Sequence, residues 1–202
     1  MFSVERHRSS GSRRGAVSPG ARARVRTASS GAGAAVLLAA ATGCVSLPSG
    51  TDAELSPDIN VTSTMMQEGE PLPDAYTCKG EGLSPTLQWS GLPSGEGIAS
   101  LAVVVDAPDD ATVFWVIYGL DPQTTEIRQN TVPQPGRQGL NSAGTADFEP
   151  PCPEDGHPHR YRFSLYALNG EIDLPEDAPL DDSLQAIADR SIARGALTTT
   201  SE

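Results

Sequence analysis

The distribution of apolar and polar positions along this chain is dominated by short stretches with the alternation typical of β-strands. The clearest stretch is "RYRFSLYAL" at residues 160–168, where Tyr161, Phe163 and Leu165 alternate with mostly polar positions. "IASLAVVVD" at 98–106 is apolar in both alternating sets, which is the pattern of a strand buried on both faces. Three further stretches predict strands: "INVTST" at 59–64, "TLQWSGLP" at 86–93 and "TVFWVIYGL" at 112–120.

One segment near the C-terminus has a helical period instead. "DDSLQAIADRSIARG" at 181–195 begins with aspartates that can cap a helix, and Arg190 and Arg194 suit its C-terminal dipole. Gly195 fits just beyond the end of such a helix. The chain is therefore predicted to form a mainly β domain, a sandwich of two antiparallel sheets with one C-terminal helix. The apolar stripe of the predicted helix consists of Leu184, Ile187, Ala188, Ser191 and Ile192.

The first 43 residues have the composition of an export signal. They contain seven arginines and one acid, and they include the apolar run "AGAAVLLAAA" at 32–41, which is too short to span a bilayer. The stretch "AATGC" places small residues before Cys44 and resembles a bacterial lipobox, in which the cysteine is acylated. We expect a lipoprotein signal peptide over 1–43, a polar tether over 44–58 and a folded domain over 59–202. Ordinary secretion, with Cys44 as a free thiol, is the alternative.

The charge of the segment after the predicted signal argues against two kinds of interaction. The whole chain has a formal net charge of −12, from 14 basic and 26 acidic residues. Without the seven arginines and one glutamate of the signal, seven basic and 25 acidic residues remain, a net charge of −18. Nucleic-acid binding needs clustered lysines and arginines, so this composition argues against a nucleic-acid partner and against electrostatic attraction to anionic lipid.

Two cysteines remain if Cys44 is acylated. Cys78 and Cys152 in an exported domain suggest one disulfide, which would close a loop of about 74 residues. Two free thiols are the alternative.

The histidines raise the question of a metal site. Cys152, His157 and His159 are residue types that ligate zinc. Their spacing, C-x4-H-x-H, matches no established zinc pattern, and Pro158 between the histidines fixes their relation without aiming both at one ion. We therefore expect neither a metal nor another cofactor.

Catalytic chemistry finds little support in the residues. The serines occupy no nucleophile elbow, and nothing nominates a partner for His159 as a base. Asp106, Asp109 and Asp110 follow the apolar strand and could bind a ligand or act in acid–base chemistry. "DAPDD" is equally typical of a solvated turn, and no catalytic residue is predicted.

Several motifs occur in the order found in one protein family. "YTCKGEGLSPTLQWSGLP", "SLAVVVDAPDD", "FWVIYGL", "PPCPEDGHPHRYRFSLYAL" and "IDLPEDAP" together resemble the phosphatidylethanolamine-binding proteins, in particular their bacterial Raf-kinase-inhibitor-like branch. The resemblance covers residues 59–200, and its most specific pieces are "SPTLQWSGLP" and "GHPHRY". It implies a β-sandwich with a C-terminal helix, in agreement with the apolar pattern. It also supports a bond between Cys78 and Cys152, which match cysteines of the bacterial branch.

The resemblance implies a small pocket at one end of the sandwich that binds anions such as phosphate head groups. His159 stands at the family's pocket histidine, and an imidazole and the phenol of Tyr161 can donate hydrogen bonds to an anionic oxygen. The alternative is that His159 only ties the loop to the following strand. The predicted pocket residues are Asp106, Asp109, Phe114, Trp115, His159 and Tyr161.

Departures from the family pattern weaken the implied anion site. Ala107 stands where the pattern has a pocket aspartate, and Phe114 stands where it has a second pocket histidine. Glu149 and Pro150 replace glycines whose N–H groups can approach a ligand, and they add a negative charge and remove a donor.

These observations predict an exported lipoprotein on the outer side of the cytoplasmic membrane, held there by lipid on Cys44. It would be a non-catalytic binding protein, with a degenerate pocket for a small anionic or lipid-like ligand. A protein-interaction or inhibitor module that acts on an extracytoplasmic partner such as a protease is the alternative.

Overall fold

The computed structural model describes residues 59–94, 97–152 and 159–201. The predicted signal peptide over 1–43, Cys44 and the predicted tether over 44–58 lie outside the described residues. So does His157, which the sequence offered as a zinc ligand.

The larger of two antiparallel sheets has five strands in the order β6-β4-β3-β7-β8. Its central strand, β3, is the apolar segment that the sequence marked as buried on both faces. The strands are β3 (Ser100–Ala107), β4 (Thr112–Leu120), β6 (Arg137–Gly139), β7 (Arg160–Leu168) and β8 (Ser191–Thr200).

The smaller sheet has three short strands in the order β1-β2-β5. They are β1 (Asn60–Thr62), β2 (Leu87–Ser90) and β5 (Glu126–Ile127), and a single 3-10 turn, Asp74–Tyr76, lies between β1 and β2. Alternating side chains of β2, such as Leu87 and Trp89, point into the core shared with the larger sheet. The predicted β-sandwich is therefore confirmed.

The larger sheet is buried on both faces because different layers cover them. Leu101, Val103 and Phe163 face the smaller sheet. The opposite face is covered by the helix α1 (Leu180–Arg190), whose Ile187 packs among the buried residues there. Helix α1 has 11 residues, and within the described part of the chain no helix is long and apolar enough to cross a membrane. The side chains under α1 include Ala102, Val104, Val116, Tyr118 and Leu168.

The predicted extent of the helix, 181–195, is wrong at its C-terminal end. The helix stops at Arg190, and β8 begins at the next residue. Ser191, Ile192, Arg194 and Gly195 were assigned to the helix and its end, but they belong to this ten-residue strand. The reason is tertiary, because β8 pairs with β7 along its whole length, and local helical period cannot outweigh that pairing.

Candidate functional site

A cavity of about 290 Å³ opens at the end of the larger sheet, where β3 ends and β4 and β7 begin. We call it the rim cavity. Its walls come from three places in the chain, namely the β3–β4 turn with the start of β4, the loop before residue 153, and the start of β7. The residues that line it are Asp110, Thr112, Phe114, Glu149, Pro150, Cys152, His159 and Tyr161.

The turn and a bulge in β4 explain why Phe114 reaches this cavity. Opposite the step from Val105 to Asp106 in β3, strand β4 advances by two residues, from Trp115 to Val113. Phe114 is therefore an extra residue in the register, and such a bulge re-aims the side chain it carries. Its ring meets the ring of Tyr161 edge-on, with centroids 5.9 Å apart.

His159 is fixed by contacts on both its backbone and its ring. Its N–H donates to Ser201 Oγ at 2.8 Å, and its carbonyl accepts from the N–H of Ser201 at 2.9 Å. Its Nδ1 lies 2.8 Å from Asp110 Oδ2. This contact leaves Nε2 as the ring nitrogen free of that carboxylate.

Tyr161 forms the floor between these groups. It is only 3% exposed, and its ring stacks on the imidazole of His159 with centroids 6.5 Å apart. Burial, with a smaller contribution from the charge of Asp110, raises the pKa of the Tyr161 phenol, so the hydroxyl stays protonated near neutral pH. Tyr161 also borders a neighbouring cavity of about 240 Å³, which Asp74 and Lys79 help to line.

The wall formed by the loop before residue 153 is held in place by a disulfide and by backbone hydrogen bonds. Cys78 and Cys152 are joined, with their Cα atoms 5.2 Å apart, so the predicted disulfide is confirmed. The N–H of Cys78 donates to the carbonyl of Pro151, and the N–H of Glu149 donates to that of Phe114. Because its sulfur is in a disulfide, Cys152 offers no thiolate for zinc or for nucleophilic chemistry. Among the described residues, no group of three or more potential metal ligands is gathered.

Three of the six predicted pocket residues, Phe114, His159 and Tyr161, line the rim cavity, and the other three do not. Asp106 is the first correction. Neighbouring residues of a strand point to opposite faces of the sheet. Asp106 therefore lies on the same face as Val104, which is the face that helix α1 covers. There its carboxylate makes a bidentate ion pair with Arg162.

Asp109 and Trp115 are the other corrections. Asp109 sits in the turn and pairs with Arg160 through contacts of 3.0 and 2.6 Å, and that guanidinium lowers the pKa of the carboxyl. Trp115 donates from Nε1 to Gln138 and packs edge-on against Phe148. It therefore lines a separate cavity of about 460 Å³, which we call the second cavity.

The list of predicted pocket residues lacked five of the eight that line the rim cavity, namely Asp110, Thr112, Glu149, Pro150 and Cys152. Thr112 and Phe114 share a strand two residues apart, and period-two spacing was the available signal for that pair. Asp110 precedes them in the turn, beside Ala111, which has a φ of 52°. Turn geometry decided which of the three clustered aspartates meets His159, and the sequence pattern alone did not distinguish them.

The two Asp–Arg pairs on the sheet predict different effects of mutation. Replacing Asp106 by Ala leaves Arg162 unpaired with 30% of its side chain exposed, and we expect a loss of about 2 kcal/mol in the free energy of unfolding. Asp109→Ala breaks an exposed pair, for which little change is expected. Urea unfolding followed by tryptophan fluorescence measures both. Equal shifts for the two variants would contradict this assignment.

Comparison with known proteins agrees with the family that the sequence motifs resemble. The sequence matches the family model described as "Phosphatidylethanolamine-binding protein" over residues 62–202. It is 35% identical over 156 residues to the "Putative lipoprotein LppC" of Mycobacterium tuberculosis, covering 75% of this chain and 76% of that protein. It is 42% identical over 125 residues to a "UPF0098 protein" of Methanothermobacter thermautotrophicus, covering 57% of this chain and 80% of that protein.

A solved structure with the same fold is that of YbcL from E. coli, described as a new member of the mammalian PEBP family. It superposes with a TM-score of 0.65 at 29% identity, covering 72% of this chain and 98% of that one. The similarity therefore extends over nearly the whole of that chain.

Proposed function

Because the chain belongs to the phosphatidylethanolamine-binding protein family, we propose that it is an exported, lipid-anchored binding protein whose rim cavity holds a small ligand. The single observation that carries this proposal is the convergence of Phe114, Tyr161 and the Asp110–His159 pair on one cavity. Apolar walls with a few oriented polar groups are typical of a small-molecule site.

The same cavity supports binding rather than catalysis. A nucleophile needs a base within hydrogen-bond reach. Within the described residues, no hydroxyl or thiol hydrogen-bonds to the ring of His159, whose Nδ1 contact is with Asp110. The sulfur of Cys152 is held in a disulfide. Geometry of this kind orients a bound molecule and supplies no attacking atom.

The lipid anchor rests on two observations that do not depend on the cavity. The stretch "AATGC" places Cys44 where a lipoprotein signal has its acylated cysteine. LppC, which shares 35% identity with this chain, has a name that describes a lipoprotein. Together they favour a domain attached to the outer side of the cytoplasmic membrane through a tether over 44–58.

Ligand binding is tested by thermal unfolding of the purified domain with phosphate, phosphoethanolamine, ethanolamine and choline. We expect at least one probe to raise Tm in a saturable manner. The effect should be lost in Phe114→Ala, which removes one wall of the rim cavity. It should persist in Phe148→Ala, a matched aromatic change at the second cavity. No saturable shift with any probe, or equal loss in both variants, would remove support for the site.

The anchor is tested in cells that express the full chain. Metabolic labelling with a clickable fatty acid should mark the wild-type protein and leave Cys44→Ser unlabelled, and only the wild type should sediment with membranes. Labelling of Cys44→Ser, or an unlabelled wild type, would show that the protein is not anchored through this cysteine.

A further inference from the structure

We infer that the rim cavity takes a small organic cation, a primary or quaternary ammonium group, in preference to a phosphate anion. This inference rests on the proposed binding function and names the class of ligand. It reverses the charge of the ligand that the sequence resemblance led us to expect.

The charge of the lining is the first argument. Its ionisable carboxylates and imidazole are Asp110, Glu149 and His159, and no lysine or arginine is among the described residues that line it. At neutral pH the two carboxylates carry two negative charges, and an imidazole supplies at most one positive charge. The lining is therefore negative in either protonation state of the histidine, and a cavity of one sign concentrates ions of the other sign.

The nearby arginines do not change this balance. The Nε and Nη2 groups of Arg160 both donate hydrogen bonds to the carboxylate of Asp109, at 3.0 and 2.6 Å. Arg162 is paired with Asp106 on the opposite face of the sheet. Lys79 helps to line the neighbouring cavity, where Asp74 is also present.

The second argument concerns the donors that a phosphate would need. Anion sites are commonly built from free backbone N–H groups. In the wall that carries Glu149, the N–H of that residue is bonded to the carbonyl of Phe114. Pro150 has no N–H, and the N–H of Cys78 is bonded to Pro151. A bound phosphate would meet two carboxylates without these donors, which is unfavourable.

The third argument is the aromatic floor and its hydroxyl. Phe114 and Tyr161 supply two rings in contact, and aromatic faces attract ammonium groups. Tyr161 is only 3% exposed, and burial raises the pKa of its phenol, so the ring and its protonated hydroxyl form an uncharged floor. The phenol oxygen can accept a hydrogen bond from the N–H of a primary ammonium group, whereas a quaternary ammonium group, which has no N–H, would lie against the aromatic faces alone.

Calorimetry on the folded domain separates the two charges. We expect saturable binding of choline and ethanolamine, no binding of inorganic phosphate, and weaker binding of the amines as ionic strength rises. Short-chain phosphatidylethanolamine carries the same ammonium group beside a phosphate diester. Tighter binding of this lipid than of ethanolamine would identify a head group as the source of the amine, and the reverse would identify a free amine.

Two variants and a control test the lining itself. Glu149→Gln and Asp110→Asn should each weaken choline binding about tenfold, because each removes one charge beside the ligand. Glu171→Gln, an exposed acid near the far end of the sheet, should leave binding unchanged. Binding of phosphate without choline, or equal affinities in all variants, would overturn the inference and leave the binding function standing. Failure of every probe to bind would instead overturn the proposed function.

Discussion

Replacing Cys78 and Cys152 by serine is expected to lower the free energy of unfolding by about 4 kcal/mol. The disulfide closes a loop of 74 residues, which in the described structure includes the five strands from β2 to β6. Cross-linking a loop of this length restricts the unfolded chain, and the restriction is lost when the sulfurs are removed. Urea unfolding of the wild type and of the double serine variant, followed by the fluorescence of the buried Trp89 and Trp115, measures the difference.

A reductant provides the control for this experiment. It should destabilise the wild type by a similar amount and leave the serine variant unchanged, because only the wild type has a bond to reduce. A loss below about 1 kcal/mol would contradict the loop-closure argument. The same bond holds the wall of the rim cavity at Cys152, so we also expect the double variant to bind choline more weakly than the wild type.

The strands that follow strong apolar patterns were predictable from the sequence. The stretches at 98–106, 112–120 and 160–168 became β3, β4 and β7, with bounds that differ by at most two residues. These strands occupy the centre of the larger sheet, where burial demands apolar side chains at known intervals. The apolar pattern of these segments therefore indicates both that they are strands and that they are buried.

The strands at the edges were less predictable. β5 and β6 have two and three residues, and no periodic pattern can be read from so few positions. They exist because β2 and β4 offer them partners. β8 is longer, but its first residues continue the helical stripe of Leu184 and Ile187, and only its pairing with β7 identifies it as a strand.

The residues of the candidate site also fall into a predictable group and an unpredictable one. His159 and Tyr161 were predicted because a sequence motif carries them to the start of a strand. Phe114 reaches the cavity through a bulge, while Asp106 is turned away by the alternation of β3. Sequence motifs thus identified the end of the sheet at which the cavity lies. The backbone geometry of the turn and the bulge determined which side chains enter it.

Gly195 provides the test of the segment on which sequence and structure disagree. As a residue just past a helix end it would tolerate a side chain at modest cost, but in β8 it lies against the backbone of Ile59 at the start of the smaller sheet. A Cβ built at this position would stand 2.7 Å from the carbonyl carbon and 2.8 Å from the Cβ of Ile59. Gly195→Ala must therefore displace β1 from β8, and we expect a loss of about 3 kcal/mol in the free energy of unfolding.

The matched control is Gly97→Ala, because a Cβ there meets no atom within 4 Å and the backbone needs no left-handed conformation. This variant should change stability by no more than about 0.5 kcal/mol. Urea unfolding of the two variants beside the wild type makes the comparison. If Gly195→Ala were as stable as Gly97→Ala, the close approach of Ile59 to β8 would be refuted. The packing of β1 on the larger sheet would then have to differ from the one described, because that approach leaves no room for a methyl group.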